Sequence, residues 1–164
     1  MNESLYRFLN HNIFPVKDGK YIIHSTVDNK FVWDVDPNTS NLHIWERHGR
    51  ENQQFIFKAN GIGSYTIMCV ANGKYLDCFH SSKDNGANVW ACGFNGTKAQ
   101  RWRITPQDNP NMMVHHTISV YSEIDDFDNK RCIDLYHSNA SNGTNLSLFR
   151  DNGTNAQKWM IEMI

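Results

Sequence analysis

Gln100-Arg101-Trp102-Arg103-Ile104 has two relatives in the same chain, Gln53-Gln54-Phe55-Ile56-Phe57 and Gln157-Lys158-Trp159-Met160-Ile161. Each stretch has a glutamine, an aromatic residue two positions later, and an apolar residue two positions after that. Alternation with period two is typical of a strand that buries one face. The glutamines are 47 and 57 residues apart. Similarity at such a spacing indicates one structural unit that is repeated three times.

An aspartate precedes each of these glutamines at a related distance. Asp77 and Asp134 lie 23 residues before their glutamines, whereas Asp34 lies 19 residues before Gln53, because the first loop is shorter by 4 residues. Short apolar runs come before each aspartate, and clusters of Asn, Asp, Gly and Ser between them predict turns. No segment has a sustained helical period, so the sequence predicts an all-β fold.

An aspartate, an aromatic residue and a Gln-x-Trp type ending, repeated three times, resemble the ricin B-type lectin family. The resemblance covers the chain from Lys20 to Ile164. It implies a β-trefoil, in which six strands close a barrel and six form hairpins that cap it, with pseudo-threefold symmetry. One unit of this size cannot bury its apolar face alone, and three units together can.

The resemblance also sets the predicted boundaries. We expect a single trefoil domain at residues 19–164 after an N-terminal arm or closing strand at residues 1–18. The predicted repeats span about residues 19–60, 61–107 and 108–164.

Composition narrows the class of function. The chain has 164 residues, of which 40% are hydrophobic, enough for one core. A net charge of −1 gives no long-range field for nucleic acid, and the apolar runs are too short for membrane insertion. The sequence also marks no nucleophile with a nearby base, so it predicts no enzyme activity, no metal site and no cofactor.

The first residues and the cysteines indicate the cellular compartment in which the protein is made. Residues 1–7 lack the basic and apolar segments of a signal peptide. Members of the family often bridge the position two before the aspartate to the position two after the aromatic residue. Here Cys132 would face Asp151, and the second repeat has Tyr75 and Phe94 at these places. We therefore expect mostly free thiols and cytoplasmic synthesis, with release by a route that needs no signal peptide.

The first repeat contains a full set of sugar-binding residue types. A pyranose has an apolar face that an aromatic ring covers, and hydroxyls that pair with carboxylate and amide groups. We predict that Asp34 accepts from two hydroxyls, Trp45 stacks on the ring, and Asn52 both donates and accepts. Gln53 would hold Asp34, and His43 would line the pocket. The alternative is that Trp45 belongs to the core and Asp34 forms a turn.

The third repeat retains part of this set. Ala156 replaces the amide residue, which removes one hydroxyl partner unless Asn155 reaches the pocket. The predicted third-site residues are Asp134, Ser147, Phe149, Asn155 and Gln157.

The second repeat differs most from the set of sugar-binding residue types in the first repeat. Asp77 and Gln100 remain, but Cys92 occupies the stacking position and Ala99 the amide position. Trp90 would have to supply the ring. The alternative is a structural Asp–Gln pair that binds no ligand.

The resemblance implies a lectin that binds glycans on cell surfaces or glycoproteins, with galactose or N-acetylgalactosamine as the family's commonest ligands. One alternative is a trefoil with decayed sugar sites that binds proteins or assembles with a toxin or enzyme subunit. The other is a β-trefoil protease inhibitor acting through an exposed loop. The complete set around Asp34 favours the lectin.

Overall fold

The computed structural model describes residues 14–61, 63–109 and 111–164. Twelve strands lie in these residues, separated by turns and six short 3-10 turns. The strands are β1 Gly19–Ser25, β2 Phe31–Val35, β3 Leu42–Glu46, β4 Phe55–Ala59, β5 Tyr65–Cys69, β6 Tyr75–Cys78, β7 Ala87–Cys92, β8 Trp102–Pro106, β9 Thr117–Ser122, β10 Arg131–Leu135, β11 Leu146–Arg150 and β12 Trp159–Met163.

Six of the strands close a barrel and the other six form three hairpins. The barrel runs through the antiparallel pairs β1–β4, β4–β5, β5–β8, β8–β9 and β9–β12, and β12 pairs with β1 to close it. The hairpins are β2–β3, β6–β7 and β10–β11, one in each repeat. This arrangement confirms the β-trefoil predicted from the repeated sequence pattern.

The repeated glutamines lie just before the barrel strands instead of within them. Each ends a 3-10 turn, at Glu51–Gln53, Lys98–Gln100 and Asn155–Gln157. Every glutamine side chain is buried, accepts from a loop N–H and donates to a backbone carbonyl at or just after the end of its hairpin. The glutamine therefore ties the end of each hairpin to the next barrel strand, which explains its recurrence in all three repeats.

The core compensates for a size difference between the repeats. The first repeat has Phe55 where the others have tryptophan, and Trp33 where they have Leu76 and Ile133. The Trp33 ring packs edge-on against Phe55, with centroids 5.7 Å apart, and against Trp159 at 5.6 Å. A large residue on the hairpin thus fills the volume that a smaller one on the barrel strand leaves, as close packing requires.

Three asparagines join the hairpins near the pseudo-threefold axis. Asn41 Nδ2 donates to Asn145 Oδ1 (2.7 Å), Asn145 Nδ2 donates to Asn88 Oδ1 (3.1 Å), and Asn88 Nδ2 donates to Asn41 Oδ1 (2.6 Å). Each repeat contributes one amide, which gives and receives one hydrogen bond. The ring fixes the three hairpins relative to one another, so each repeat's surface loops have a defined neighbour.

The segment before β1 contacts the barrel. Val16 is buried, and its backbone N–H and carbonyl both bond the hydroxyl of Tyr65. Most of the predicted arm, residues 1–13, lies outside the described residues. Within the described part of the chain, no helix has the length and apolar character needed to cross a membrane.

Candidate functional site

A cavity of about 650 Å³ lies beside the first hairpin. It is lined by the loop after β2, the end of β3 and the 3-10 turn before β4. The lining includes Asp34, His43, Trp45 and Asn52. Four of the five residues predicted for the first site therefore line one cavity. The fifth, Gln53, does not line it but donates a hydrogen bond to Asp34.

Asp34 is held in a fixed orientation. It is only 3% exposed, on β2, directly opposite His43 on β3. The His43 ring donates through Nε2 to Asp34 Oδ1 (2.8 Å), and Gln53 Nε2 donates to Asp34 Oδ2 (2.9 Å). A carboxylate has about four acceptor lone pairs. His43 and Gln53 fill one position on each oxygen, so each oxygen can accept from one further donor.

His48 is a further cavity residue that the sequence analysis missed. Its Nδ1 accepts from the backbone N–H of Arg50 (3.1 Å), so the ring hydrogen lies on Nε2, 3.4 Å from Asp34 Oδ2. The backbone N–H of His48 donates to Gln53 Oε1 (2.9 Å). The only signal in the sequence was the position of His48, in the loop just before the repeated glutamine Gln53.

Trp45 offers an exposed ring beside Asp34. The residue is 40% exposed, unlike the fully buried Trp33, Trp102 and Trp159, so the reading of Trp45 as a core residue does not match its position. Gly143 of the third repeat lies against it, since a Cβ there would be 3.8 Å from the ring, and its φ of +85° favours glycine. The third hairpin's loop thus supports the ring from one side.

Asn52 has hydrogen-bonding capacity to spare. Its Nδ2 donates to the carbonyl of Val35 (3.2 Å), which sets the side chain at the cavity wall. One N–H and the amide oxygen remain for other partners. Asn52 can therefore both donate to and accept from a hydroxylated ligand.

In the second repeat, a side chain of the protein itself donates to the aspartate. Asp77 is 5% exposed, and Trp90 Nε1 donates to its Oδ1 (3.1 Å). Gln100 Nε2 turns to Cys92 Sγ (3.1 Å) instead of the carboxylate. Burial raises the pKa of the Cys92 thiol, and its hydrogen bond to Asp77 acts in the same direction. Trp90 therefore closes over the acceptor that a sugar would use, instead of offering a free ring.

The third repeat lies between these two cases. Gln157 Nε2 donates to Asp134 Oδ2 (2.9 Å), as in the first repeat, and Phe149 is 41% exposed. Burial raises the pKa of Asp134, against the opposing effects of the Gln157 hydrogen bond and the nearby His137 charge. Ser147 is buried opposite Asp134 in the hairpin. The third repeat thus keeps an oriented acceptor and an exposed ring.

Asn155 belongs to the 3-10 turn that precedes β12. The residue is exposed, and its backbone carbonyl accepts from Thr26 Oγ1 (2.8 Å). Its proposed contact with a ligand stays a prediction, as do the ligand roles of the other residues in the three sets.

The cysteines differ from the bridge pattern of many family members. All four are free. At the bridge positions of the second repeat, the rings of Tyr75 and Phe94 pack with their centroids 5.2 Å apart. An aromatic contact thus joins the start of β6 to the segment after β7, where a disulfide would lie.

Comparison with known proteins identifies the family of the chain. The family model described as ricin-type beta-trefoil lectin domain-like matches residues 5–89 and again residues 51–120. The chain belongs to this family. The main hemagglutinin component type C of Clostridium botulinum C phage is 27% identical over 130 residues, which are 77% of this chain and 41% of that protein. The chain therefore spans about two fifths of the length of this relative.

Solved structures with the same fold include a designed protein and a natural lectin. The designed threefold-symmetric protein ThreeFoil superposes with a TM-score of 0.79 at 22% identity, covering 90% of this chain and 100% of its own. The Macrolepiota procera ricin B-like lectin, solved with lactose, gives a TM-score of 0.75 at 21% identity, covering 91% and 99%. At these identities the likeness shows the fold alone. The family match supports carbohydrate binding as the general function of the chain.

Proposed function

We propose that this chain is a lectin that binds galactose or N-acetylgalactosamine-type sugars through the first-repeat site. The observation that carries the proposal is the Asp34 carboxylate, fixed by His43 and Gln53 beside the exposed ring of Trp45. An acceptor whose orientation is already set loses little freedom when a ligand arrives. The lactose complex of the Macrolepiota procera lectin supports the galactose-type ligand.

The chemistry of the site suits one face of a pyranose. The Trp45 ring can cover the apolar C–H face, while Asp34 accepts from two neighbouring hydroxyls and Asn52 donates to one of them. Asp34 and Asn52 both lie at the cavity wall, whereas Trp45 forms its apolar part. Because sugar–protein hydrogen bonds replace sugar–water ones, affinity at a single site should be modest.

Calorimetry with lactose tests this proposal. We expect Trp45→Ala and Asp34→Asn each to weaken binding by about tenfold or more, because a stacked ring or a charged acceptor is lost. Asp77→Asn is the matched control, since its carboxylate already serves Trp90 and Cys92, and it should leave binding unchanged. Loss of binding in Asp77→Asn with retention in Asp34→Asn would contradict the proposed site. Absence of binding to lactose, galactose and N-acetylgalactosamine in the wild type would overturn the sugar class.

A second candidate function is that of a component in a larger assembly with a toxin or enzyme subunit. Two observations favour it: the second-repeat aspartate is closed by Trp90, and the hemagglutinin relative is named as a component. Size-exclusion chromatography with multi-angle light scattering, on the chain co-expressed with its genomic neighbours, tests this role. A stable complex would support it, and a chain that stays monomeric beside every neighbour would contradict it.

A further inference from the structure

The third hairpin loop, residues 136–145, binds the backbone on both sides of Trp45. Asn142 Oδ1 accepts from the backbone N–H of Glu46 (2.8 Å), and the backbone N–H of Gly143 donates to the carbonyl of Ile44 (2.9 Å). Ile44 and Glu46 come immediately before and after Trp45 on β3, whose opposite edge pairs with β2. The strand segment that carries the exposed ring of the first repeat is therefore fixed by hydrogen bonds to the third repeat.

The same two residue types bind the third hairpin in the same way. In the second hairpin loop, residues 79–86, Asn85 Oδ1 accepts from the backbone N–H of Arg150 (3.0 Å). The backbone N–H of Gly86 donates to the carbonyl of Leu148 (2.8 Å). Leu148 and Arg150 flank Phe149, the exposed ring of the third repeat. We call each of these two residue pairs, one from the second and one from the third hairpin loop, an Asn-Gly clamp.

The first hairpin loop, residues 36–41, contains no Asn-Gly sequence. The carbonyl of Ser40 in this loop accepts from the backbone N–H of Ala91 (2.8 Å). Ala91 precedes Cys92, which occupies the stacking position of the second repeat. An Asn-Gly clamp thus accompanies an exposed aromatic ring in two repeats, whereas the repeat that receives no clamp has a thiol at that position.

The Asn-Gly clamp at Asn142 and Gly143 acts on the ring and not on a ligand. Neither residue is among the described residues that line the first cavity. A Cβ added at Gly143 would lie 3.8 Å from the Trp45 ring, so the loop also packs against the side of that ring. Because 40% of Trp45 is exposed, packing restricts its ring only in part, and a ring that is already ordered loses less freedom when a ligand binds.

We propose that Asn142 and Gly143 of the third repeat are positioning residues for sugar binding at the first-repeat site, because they fix the strand segment that carries Trp45. This inference rests on the proposed lectin function. It makes the first site dependent on two repeats, so a change in the third hairpin loop alters the affinity of the first site while every cavity residue stays in place.

The test replaces Asn142 in the full chain. Asn142→Ala removes the acceptor for the Glu46 N–H, and a lactose titration followed at the Trp45 indole N–H signal should show about fivefold lower affinity. Asn142→Asp keeps an oxygen acceptor of the same shape and should restore the affinity. The matched control is Asn95→Ala in the second repeat, which should leave it unchanged. Asn95 also precedes a glycine, and its Oδ1 accepts from the backbone N–H of Thr97 (3.0 Å).

A second measurement, without ligand, detects the order of the ring itself. The ¹⁵N–¹H heteronuclear NOE of the Trp45 indole reports motion on the picosecond to nanosecond timescale. It should fall in Asn142→Ala and stay at the wild-type value in Asn142→Asp and Asn95→Ala. Thermal melts check that each variant is folded.

The outcomes separate this inference from the proposed function. If Trp45→Ala loses lactose binding but Asn142→Ala keeps the wild-type affinity, the first site stands and the positioning role fails. A loss of affinity with an unchanged NOE also overturns that role, as does an equal loss in Asn95→Ala or in Asn142→Asp. If the wild type binds none of the galactose-type sugars, the proposed function fails, and the role of Asn142 in sugar binding fails with it.

Discussion

Asp34 and Asp77 occupy equivalent places on the hairpins of the first and second repeats, but their surroundings differ. Asp34 receives hydrogen bonds from His43 and Gln53 and lies next to an exposed tryptophan. Asp77 receives the indole N–H of Trp90, and its glutamine bonds a cysteine. One carboxylate keeps acceptor capacity beside a cavity, whereas the other is engaged by the protein itself.

The difference separates two roles of the repeated glutamine. In every repeat its amide accepts from a loop N–H and donates to a backbone carbonyl at or just after the end of the hairpin, and these bonds stabilise the fold. In the first and third repeats the amide also donates to the aspartate. A Gln-x-Trp type ending is therefore evidence for the trefoil, while the bond to the carboxylate is evidence for a ligand site.

The largest effect is expected from Trp102→Ala. Trp102 is fully buried in the second repeat, and its Nε1 donates to the Leu76 carbonyl (3.1 Å). Its truncation should lower the free energy of unfolding by about 3–5 kcal/mol, measured by urea denaturation. Trp45→Ala, at the exposed ring of the first repeat, should cost less than about 1 kcal/mol. Equal losses in the two variants would show that Trp45 is a core residue.

The glutamines give the next test. Gln53→Ala and Gln100→Ala should each lower the free energy of unfolding by about 2–3 kcal/mol, because buried loop groups lose their partners. Only Gln53→Ala should also weaken sugar binding, since it releases Asp34. Urea denaturation and calorimetry on both variants check this. A binding defect in Gln100→Ala would mean that the second repeat takes part in recognition.

A smaller effect is expected from Glu162→Gln, which tests the support of the first-repeat loop. Hydrogen bonds from His24 (2.6 Å) and Arg47 (3.0 Å) lower the pKa of Glu162. Because the folded-state pKa is lowered, ionised Glu162 stabilises the fold at neutral pH, and this contribution is lost as the pH falls through that pKa. The variant should cost about 1 kcal/mol or less at pH 7 and progressively less towards about pH 3. A cost that does not change with pH would exclude the charged interaction.

The smallest effect concerns the second-repeat contact of Tyr75 with Phe94. Since all four cysteines are free and an aromatic pair replaces the bridge, dithiothreitol should change the Tm by less than about 1 °C. A native disulfide would contribute about 2–5 kcal/mol. A large fall in Tm on reduction would therefore contradict the free thiols.

The sequence predicted the strands well because they follow a local pattern. Alternation after Gln53, Gln100 and Gln157 identified three barrel strands, and the resemblance to the ricin B-type family implied the hairpins. The 3-10 turns were not predicted, because three residues are too few to show a helical period.

The site was predicted only where residue types alone were sufficient. Asp34, Trp45 and Asn52 follow from the family pattern, whereas His48 lies in a loop whose position depends on how the chain closes in space. The bond from Trp90 to Asp77 could not be foreseen either, since the same residue could have offered a free ring. Burial and hydrogen-bond partners separate the two cases, and neither is encoded by spacing.

The most direct test follows the indole N–H signals of the tryptophans by ¹⁵N–¹H NMR during a lactose titration. Trp45→Phe and Trp90→Phe assign the two signals that matter. We predict that the Trp45 signal shifts with lactose concentration while the Trp90 signal, hydrogen-bonded to Asp77, stays in place. A shift of Trp90 without one of Trp45, or no shift of any indole signal, would contradict the assignment of sugar binding to the first repeat.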